Sequence, residues 1–516
     1  MYAKHVSVKN TPVTEKAKPN QVKNNTGGYV FALDKWKTLE RFLILGNEGG
    51  TYYCTERKMT QDNARCVLAC AADNLSTTLN TIVELRDRAP KQSPAIFALS
   101  LLISNGYDIG DALNKVCKTG TQLFEFVANC NELRGWGGRL KQTVSNWYLN
   151  KDAKSVAYQV TKYANRNGWT HRDVLRLCHA KTSNEELNDV FKYVCQNEKW
   201  QQSELDTPTN DFLAACQEAK QCDVKRALFL IEEYGLVREH LNTAHLNDIR
   251  IWDRLLKDMP MIAMLRNLGK MSSIGLLNPL SDGAKLVIDK LNDVQKSKVH
   301  PLTVLTAYTT YAAGRGLLGS NSWNVNQNIV TSLDKAFYAA FANIVPCNKR
   351  FYLGIDCSGS MSGGSIGGTR LTPVMGAAVM AMSTIKSEPF TYNAGFNHRM
   401  VEIGLNSTDC INSCINKILK TPWGSTNCAL PMEDALAKNL NVDCFVCYTD
   451  NEVNTNRHPF QVLKQYRDKT GINAKLIVVG MIATGFSIAD PSDAGMLDVV
   501  GFDTNCPSVI SEFCSA

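Results

Sequence analysis

The sequence lacks any stretch of about 18 apolar residues, the length that a helix needs to cross a membrane. Residues 1–28 contain no apolar segment of a secretory signal, and we expect residues 1–27 to form a disordered polar tail. The nucleophile elbow of serine hydrolases is also missing, since Met361 takes the nucleophile position in the nearest similar segment. These absences argue against a membrane-spanning protein, a secreted protein and a serine hydrolase, and we predict that the chain is not an enzyme.

Clustered cysteines are missing as well, although the chain contains 18 of them. Cys444 and Cys447 form a C-x-x-C pair, but this pair lies inside an apolar run without a second Cys or His pair nearby, which argues against a zinc site. Without a secretory signal, the cysteines predict reduced thiols in an intracellular protein. We expect it in the cytoplasm, with a nuclear location left open.

Charge is distributed unevenly along the 516 residues, which are enough for two or more domains. Residues 351–516 hold 11 Lys and Arg against 15 Asp and Glu, a balance of −4, so that residues 1–350 hold 45 against 34, a balance of +11. The basic excess therefore belongs to the N-terminal part, as expected if that part meets a polyanion.

Between residues 28 and 348, apolar residues recur at helical spacing in segments of 10 to 17 residues. Successive helices start roughly 15 to 20 residues apart, which favours an α-solenoid of HEAT-like repeats, although a long globular bundle fits nearly as well. The pattern predicts helices over residues 94–105, 111–118, 122–132, 138–150, 153–166, 171–181 and 185–196.

Residues 153–181 predict two adjacent helices with basic surfaces. Lys162 and Arg166, four residues apart, share a face on the first helix, and Thr170 is the expected N-cap of the second. The second helix carries a basic stripe, formed by Arg172, Arg176 and His179. The loop before this helix contains an aromatic residue, Trp169. Such stripes can bind phosphates while planar side chains stack on unpaired bases, but a solvated helical face is the alternative.

A short apolar run ends at Asp356 and is followed by Ser358, Ser360 and the helical pattern of residues 374–385. This order predicts a buried parallel strand, a loop and a helix, and ligands bind where such strands end. The D-x-S-x-S spacing brings one carboxylate and two hydroxyls together, which are hard oxygen ligands for a divalent metal ion, Mg²⁺ or Mn²⁺. A turn without a metal ion is the alternative.

Several segments in order resemble the 60 kDa Ro ribonucleoprotein family, which has a TROVE domain followed by a von Willebrand factor A domain. They are residues 41–53 (RFLILGNEGGTYY), 162–171 (KYANRNGWTH), 239–241 (EHL), 265–271 (LRNLGKM), 489–491 (ADP) and 501–504 (GFDT). The resemblance implies a TROVE ring of HEAT-like repeats over residues 28–348 and an A domain with a mostly parallel, Rossmann-like sheet over residues 349–516.

The resemblance also implies partners and site residues. Ro proteins bind small noncoding Y RNAs and misfolded small RNAs, whose free single-stranded 3′ end enters the ring, and act in RNA quality control. The implied RNA-binding residues are Lys162, Arg166 and His179, to which we add Arg172, Arg176, Arg139 and Lys141. A monomer is expected.

The A-domain resemblance completes the metal site, a metal-ion-dependent adhesion site (MIDAS). Thr426 and Asp450 stand where the family has a Thr and an Asp, so that Ser358, Ser360 and Thr426 would bind the ion directly, and Asp356 and Asp450 through water. Asn427 departs from the pattern, because an acidic residue is expected there. A protein-interaction scaffold built around this metal site is the second functional hypothesis, and a metal-dependent nuclease is the third.

Overall fold

The computed structural model describes residues 10–46, 56–196, 199–202, 206–316, 321–341, 345–364, 366 and 371–515. Within these ranges, helices dominate up to residue 339, and strands alternate with helices from residue 350 onward. No helix in these ranges is both long enough and apolar enough to span a membrane.

The helical part consists of helices of 5 to 18 residues and two short hairpins. In the described ranges these are β1 (Gln21–Lys23), β2 (Tyr29–Ala32), α1 (Lys35–Leu45), α2 (Glu56–Asp73), α3 (Leu75–Arg88), α4 (Ser93–Ser104), α5 (Ala112–Val116), α6 (Gly120–Leu133), α7 (Gly138–Leu149), α8 (Ala153–Lys162), β3 (Asn165–Arg166), β4 (Trp169–Thr170), α9 (His171–Cys178), α10 (Glu185–Gln196), α11 (Pro208–Glu218), α12 (Val224–Tyr234), α13 (Ile249–Asp258), α14 (Met261–Ser273), α15 (Asp282–Asn292), α16 (Pro301–Ala312) and α17 (Gln327–Ala339). Many helices begin after a residue whose side chain accepts a hydrogen bond from a backbone N–H of the first turn; examples are Asn74, Thr119 and Asp152. These caps set the helix starts locally.

The helices stack in sequence order. Extensive contacts join α4 to α6, α7 to α9, α14 to α16 and α15 to α17. Contacts between an element and the next but one are typical of stacked helix pairs in a solenoid, not of a bundle with distant pairings. The predicted α-solenoid is confirmed.

The C-terminal part contains a six-stranded sheet in the order β11-β9-β8-β5-β6-β7, which is parallel except for β7, an edge strand that runs antiparallel to β6. Its elements are β5 (Arg350–Asp356), α18 (Pro373–Ser387), β6 (Phe390–Phe396), β7 (Met400–Val401), α19 (Ile411–Leu419), α20 (Leu430–Ala437), β8 (Cys444–Thr449), α21 (Pro459–Thr470), β9 (Lys475–Gly480), β11 (Met496–Val500) and α22 (Cys506–Ser515), with the outlying β10 (Phe486–Ser487). The central β8 is buried along its whole length, because helices cover both faces of the sheet. The predicted A domain is confirmed.

Both ends of the solenoid dock on one loop of the A domain. Arg88, at the end of α3, forms an ion pair with Asp503. His300 is the buried N-cap of α16, and its Nε2 lies 2.8 Å from the carbonyl oxygen of Phe502. Because neighbouring loop residues hold α3, near the start of the solenoid, and α16, near its end, the solenoid closes on itself with the A domain as the joining piece.

The predicted disordered tail is wrong for residues 10–27. β1 pairs with β2, which pairs with β10 of the A domain. The buried Asn24 donates to the carbonyl oxygen of Val453 at 2.7 Å, so the polar composition of this segment reflects hydrogen bonds to the A domain. Residues 1–9 of the predicted tail lie outside the described residues.

Candidate nucleic-acid interface and metal-binding loop

The connection between α8 and α9 is a β-hairpin. α8 ends at Lys162, and β3 and β4 pair across Asn167 and Gly168, which have φ values of 52° and 77°. Two central residues at positive φ form the turn that an Asn-Gly pair favours. The predicted helix over residues 153–166 is therefore wrong beyond Lys162, and Arg166 does not share a helix face with it.

Arg166 is exposed on the hairpin and lies directly opposite Trp169. The Trp169 ring in turn packs against Trp136, with centroids 6.0 Å apart. Trp136 precedes α7 and was not among the predicted site residues, although its place three residues before Arg139 in a Gly-rich turn was a usable signal. The hairpin thus connects Arg166 with the start of α7.

The two basic residues predicted on α7 differ in exposure. Arg139 is exposed, and its guanidinium donates to the carbonyl oxygen of Gly106. Lys141 is half-buried. Arg139 therefore presents its charge more openly than Lys141 does.

α9 begins as predicted, with Thr170 and Asp173 forming a reciprocal capping box. Arg172 and Arg176 lie one turn apart and are both exposed, opposite the buried Val174 and Cys178. The basic stripe is therefore present on the solvent side of this helix.

His179 lies past the end of α9, not on it. It is the C-cap residue, with φ 55° and ψ 39° in the left-handed region, and its side chain is exposed. The predicted helix to residue 181 is therefore too long, and the prediction that His179 belongs to the stripe on this helix is wrong. An exposed imidazole at a helix end remains available to a planar base.

Lys162 is half-buried and contacts two aromatic rings. Its Nζ donates to the Tyr158 hydroxyl at 2.8 Å and lies 4.9 Å and 5.4 Å from the ring centroids of Tyr158 and Tyr163. Burial opposes its charge, but the hydrogen bond with Tyr158 and the nearby Tyr163 and Glu239 outweigh burial and raise the pKa of Lys162. The tyrosines thus hold a stable cation at the base of the hairpin.

The D-x-S-x-S loop begins where β5 ends, and its side chains are all buried. The Ser358 N–H donates to Asp356 Oδ1 at 2.9 Å, and the hydroxyl oxygens of Ser358 and Ser360 are 3.1 Å apart. Three oxygen-bearing side chains therefore converge at the carboxyl end of the sheet.

Two further loops bring Thr426 and Asp450 to the same place. The Gly359 N–H donates to the Gly424 carbonyl at 3.1 Å, which fixes the Thr426 loop against the D-x-S-x-S loop. Asp450 follows β8, the neighbour of β5, and the preceding Thr449 hydroxyl donates to Asp356 Oδ2 at 2.6 Å. The structure thus brings Asp450 and the loop of Thr426 to the D-x-S-x-S loop, at the edge where the parallel strands end.

The electrostatics of this loop suit a cation. Burial, and then the charge of Asp450, raise the pKa of Asp356, while burial raises that of Asp450. The other main interactions of both carboxyls are with hydroxyls and backbone N–H groups. A set of donors that consists of oxygens alone fits Mg²⁺ or Mn²⁺. The described part of the chain contains no group of three or more His, Cys, Asp or Glu that could hold a metal ion.

Asn427 has a local structural role. Its side-chain oxygen accepts the Ala429 N–H at 3.1 Å, and its own N–H donates to the Asn397 carbonyl at 2.9 Å. The amide thus shapes the turn before α20, directly after Thr426.

Comparisons with known proteins match both parts of the chain. A family model for the TROVE domain matches residues 22–235 and 232–313, and one for the Ro60 vWA domain matches residues 350–514. A relative named RNA-binding protein RO60, from Deinococcus radiodurans, is 35% identical over 98% of this chain and 97% of its own length. The protein of that name in Caenorhabditis elegans is 32% identical over 97% of this chain and 91% of its own length.

A solved structure shares the architecture. The crystal structure of the Deinococcus radiodurans RO (RSR) protein matches with a TM-score of 0.67 and 34% identity, over 93% of this chain and 99% of that one. The names of these relatives denote RNA-binding proteins and not enzymes. With TROVE and Ro60 vWA matches in this order and relatives similar over nearly the full length, the chain belongs to the Ro60 family.

Proposed function

We propose that this protein binds RNA, and that its ligands are small noncoding Y RNAs and misfolded small RNAs in RNA quality control. The observation that carries the proposal is the exposed basic surface of the hairpin and α9, formed by Arg166, Arg172, Arg176 and His179. It lies in the part of the chain that carries the basic excess, and the relatives are named RNA-binding proteins.

The proposed mechanism uses charge for affinity and shape for selection. Exposed arginines neutralise phosphates and release counterions, which gives affinity without regard to sequence. Trp169 and His179 offer planar surfaces on which unpaired bases can stack. A closed array of helices accepts a free single-stranded 3′ end, which a correctly folded small RNA does not offer.

We also propose that Ser358, Ser360 and Thr426, with Asp356 and Asp450 through water, hold Mg²⁺ or Mn²⁺. Such an ion, bound mainly by neutral hydroxyls, supplies a Lewis acid that attracts an acidic group of a protein partner. The buried, like-charged pair Asp356 and Asp450 supports this proposal, because a cation offsets their repulsion. In this view the A domain recruits protein partners to the bound RNA.

Crosslinking RNA to the protein in cells, followed by sequencing, tests the main proposal. Enrichment of small structured RNAs and of RNAs with unpaired 3′ ends is expected. Recovery of bulk messenger fragments without enriched small RNAs would reject it and favour the protein-interaction scaffold. Incubating purified protein and small RNA with Mg²⁺ tests the nuclease alternative, and we expect the RNA to stay intact.

A further inference from the structure

A second basic cluster lies beside Lys162, around the short 3₁₀ helix η2 (Arg238–His240), and none of the predicted RNA-binding residues other than Lys162 belongs to it. This helix packs against α8. The His240 ring makes an edge-on contact with the Tyr158 ring, and their centroids are 6.2 Å apart. Tyr158 is also the residue whose hydroxyl accepts from Lys162. Lys162 and His240 therefore share one aromatic neighbour.

His240 has a buried donor without a described partner. Its side chain is 1% exposed, and its Nδ1 accepts the Val237 N–H at 3.1 Å. A neutral imidazole that accepts at Nδ1 carries its proton at Nε2. That Nε2 is buried and has no hydrogen-bond partner among the described residues, which is a costly state for a polar group.

Two further cations, Arg238 and Lys220, belong to the same part of the fold. Arg238 is 44% exposed, and its Nη1 donates to Asn267 Oδ1 on α14 at 2.9 Å, which directs the guanidinium from η2 towards α14. Lys220 is exposed, and its carbonyl accepts from Asn242, two residues after His240. Burial, and then the charges of Lys162 and Lys220, lower the pKa of His240 to about 4, so both amines lie within electrostatic reach of the ring.

One acidic residue belongs to this cluster. Glu239 is 36% exposed, lies 3.3 Å from Arg238 and helps to raise the pKa of Lys162. The cluster thus contains three cations and one carboxylate, and Arg238 can exchange its exposed and therefore weak pair with Glu239 for a bound anion.

We propose that Lys162, Lys220 and Arg238, together with the Nε2–H of His240, bind a backbone phosphate of single-stranded RNA. This inference rests on the proposed RNA-binding function and extends its surface from the hairpin and α9 across α8 to α14. Lys162 belongs to both surfaces, so an RNA strand that reaches the hairpin continues past η2. A buried neutral donor among flexible cations suits a phosphate oxygen, which accepts from both.

The test compares Lys220→Gln, Arg238→Gln and the double variant with wild type, using fluorescence anisotropy of a labelled oligouridylate over a range of salt concentrations. Lys285→Gln, on α15 and 65% exposed, is the matched control. The slope of log affinity against log salt should fall by about 0.7 for each removed cation and stay unchanged in the control. Circular dichroism confirms that the variants fold.

The donor of His240 is tested separately. His240→Gln keeps an N–H, and His240→Phe removes it while retaining an aromatic ring. Affinity should fall several-fold more in the Phe variant than in the Gln variant, with melting temperatures compared to exclude misfolding.

The outcomes separate this inference from the function on which it rests. Wild-type protein that binds neither oligouridylate nor structured small RNA would reject the proposed function. Wild-type protein that binds while Lys220→Gln and Arg238→Gln leave affinity and salt slope unchanged would overturn the cluster at η2 alone. Equal loss in the Lys285→Gln control would also overturn it, because the effect would then be a general one of net charge.

Discussion

Arg41 in the first helix and Asp498 in the edge strand of the A-domain sheet form a buried ion pair, with Nη2 and Oδ1 2.5 Å apart. The two side chains are 1% and 6% exposed. Arg41 Nη1 also donates to the carbonyl oxygens of Thr484 and Phe486, so the guanidinium is held by the A domain on several sides. The start of the solenoid is therefore anchored in the A domain by a charge that water cannot reach.

Replacing Arg41 by Met should lower the free energy of unfolding by about 3–5 kcal/mol, because it leaves Asp498 as an uncompensated buried charge. Urea denaturation measures the loss. Lys464→Ala removes an exposed pair with Asp468 and should cost less than about 1 kcal/mol. A loss of similar size in both variants would contradict the importance of the buried pair, and Arg41→Met combined with Asp498→Leu should recover part of the stability.

Stability should fall in mild acid because of His300. Burial lowers the pKa of His300 to about 4, while in the unfolded chain it titrates near 6.5. The stability from the neutral ring is therefore complete above pH 6.5 and is lost as the pH falls from there toward 4. The loss between pH 7 and pH 5 should be about 2 kcal/mol from this residue.

The matched variant for this pH dependence is His300→Asn. Asn can cap α16 as His300 does through Nδ1, but it does not titrate. Urea midpoints at both pH values should therefore differ less in the variant than in wild type. Parallel losses in the two proteins would show that other groups cause the acid sensitivity.

Replacing Lys162 and Arg166 together by Ala should weaken binding of a Y-type RNA and reduce its salt slope by about 2, since two phosphate contacts are lost. Arg166 is exposed and Lys162 half-buried, so the free energy of unfolding should change by less than about 1 kcal/mol. Filter binding at several salt concentrations measures both effects. The control variant, Lys285→Ala with Lys296→Ala, removes the same charge from exposed positions and should leave the salt slope unchanged. Unchanged binding in the Lys162 and Arg166 variant would refute the assignment of these two residues to the RNA-binding surface.

Thr426→Val should abolish the stabilisation of the protein by Mn²⁺, because Val has the shape of Thr without its hydroxyl. A ligand present at about 100 times its Kd stabilises the folded state by about 2.7 kcal/mol, which a thermal shift detects. Thr408→Val, at an exposed position, is the control and should keep the full shift. A Mn²⁺ shift that survives in Thr426→Val would exclude this hydroxyl as a ligand.

Local signals in the sequence predicted much of the fold and of the D-x-S-x-S loop. The capping pair Thr170 and Asp173 marks the start of α9, and the apolar run before Asp450 coincides with β8. The Asn167-Gly168 pair is a turn signal as well, and it decides the structure here, because Lys162 and Arg166 stand at helical spacing but lie on different elements. Periodicity predicts which residues form a helix better than it predicts where the helix ends.

The sequence by itself determined the closely spaced features: the helix caps, the buried strands and the donors Asp356, Ser358 and Ser360, because a few neighbouring residues decide each of them. The tertiary structure alone decided which distant groups meet. Asn24 reaches the A domain, Arg88 and His300 meet at residues 502–503, and the charges of Lys162 and Lys220 both act on the buried His240. Such contacts depend on how the whole solenoid closes and on which polar groups burial forces into pairs, and no local pattern of residues encodes that.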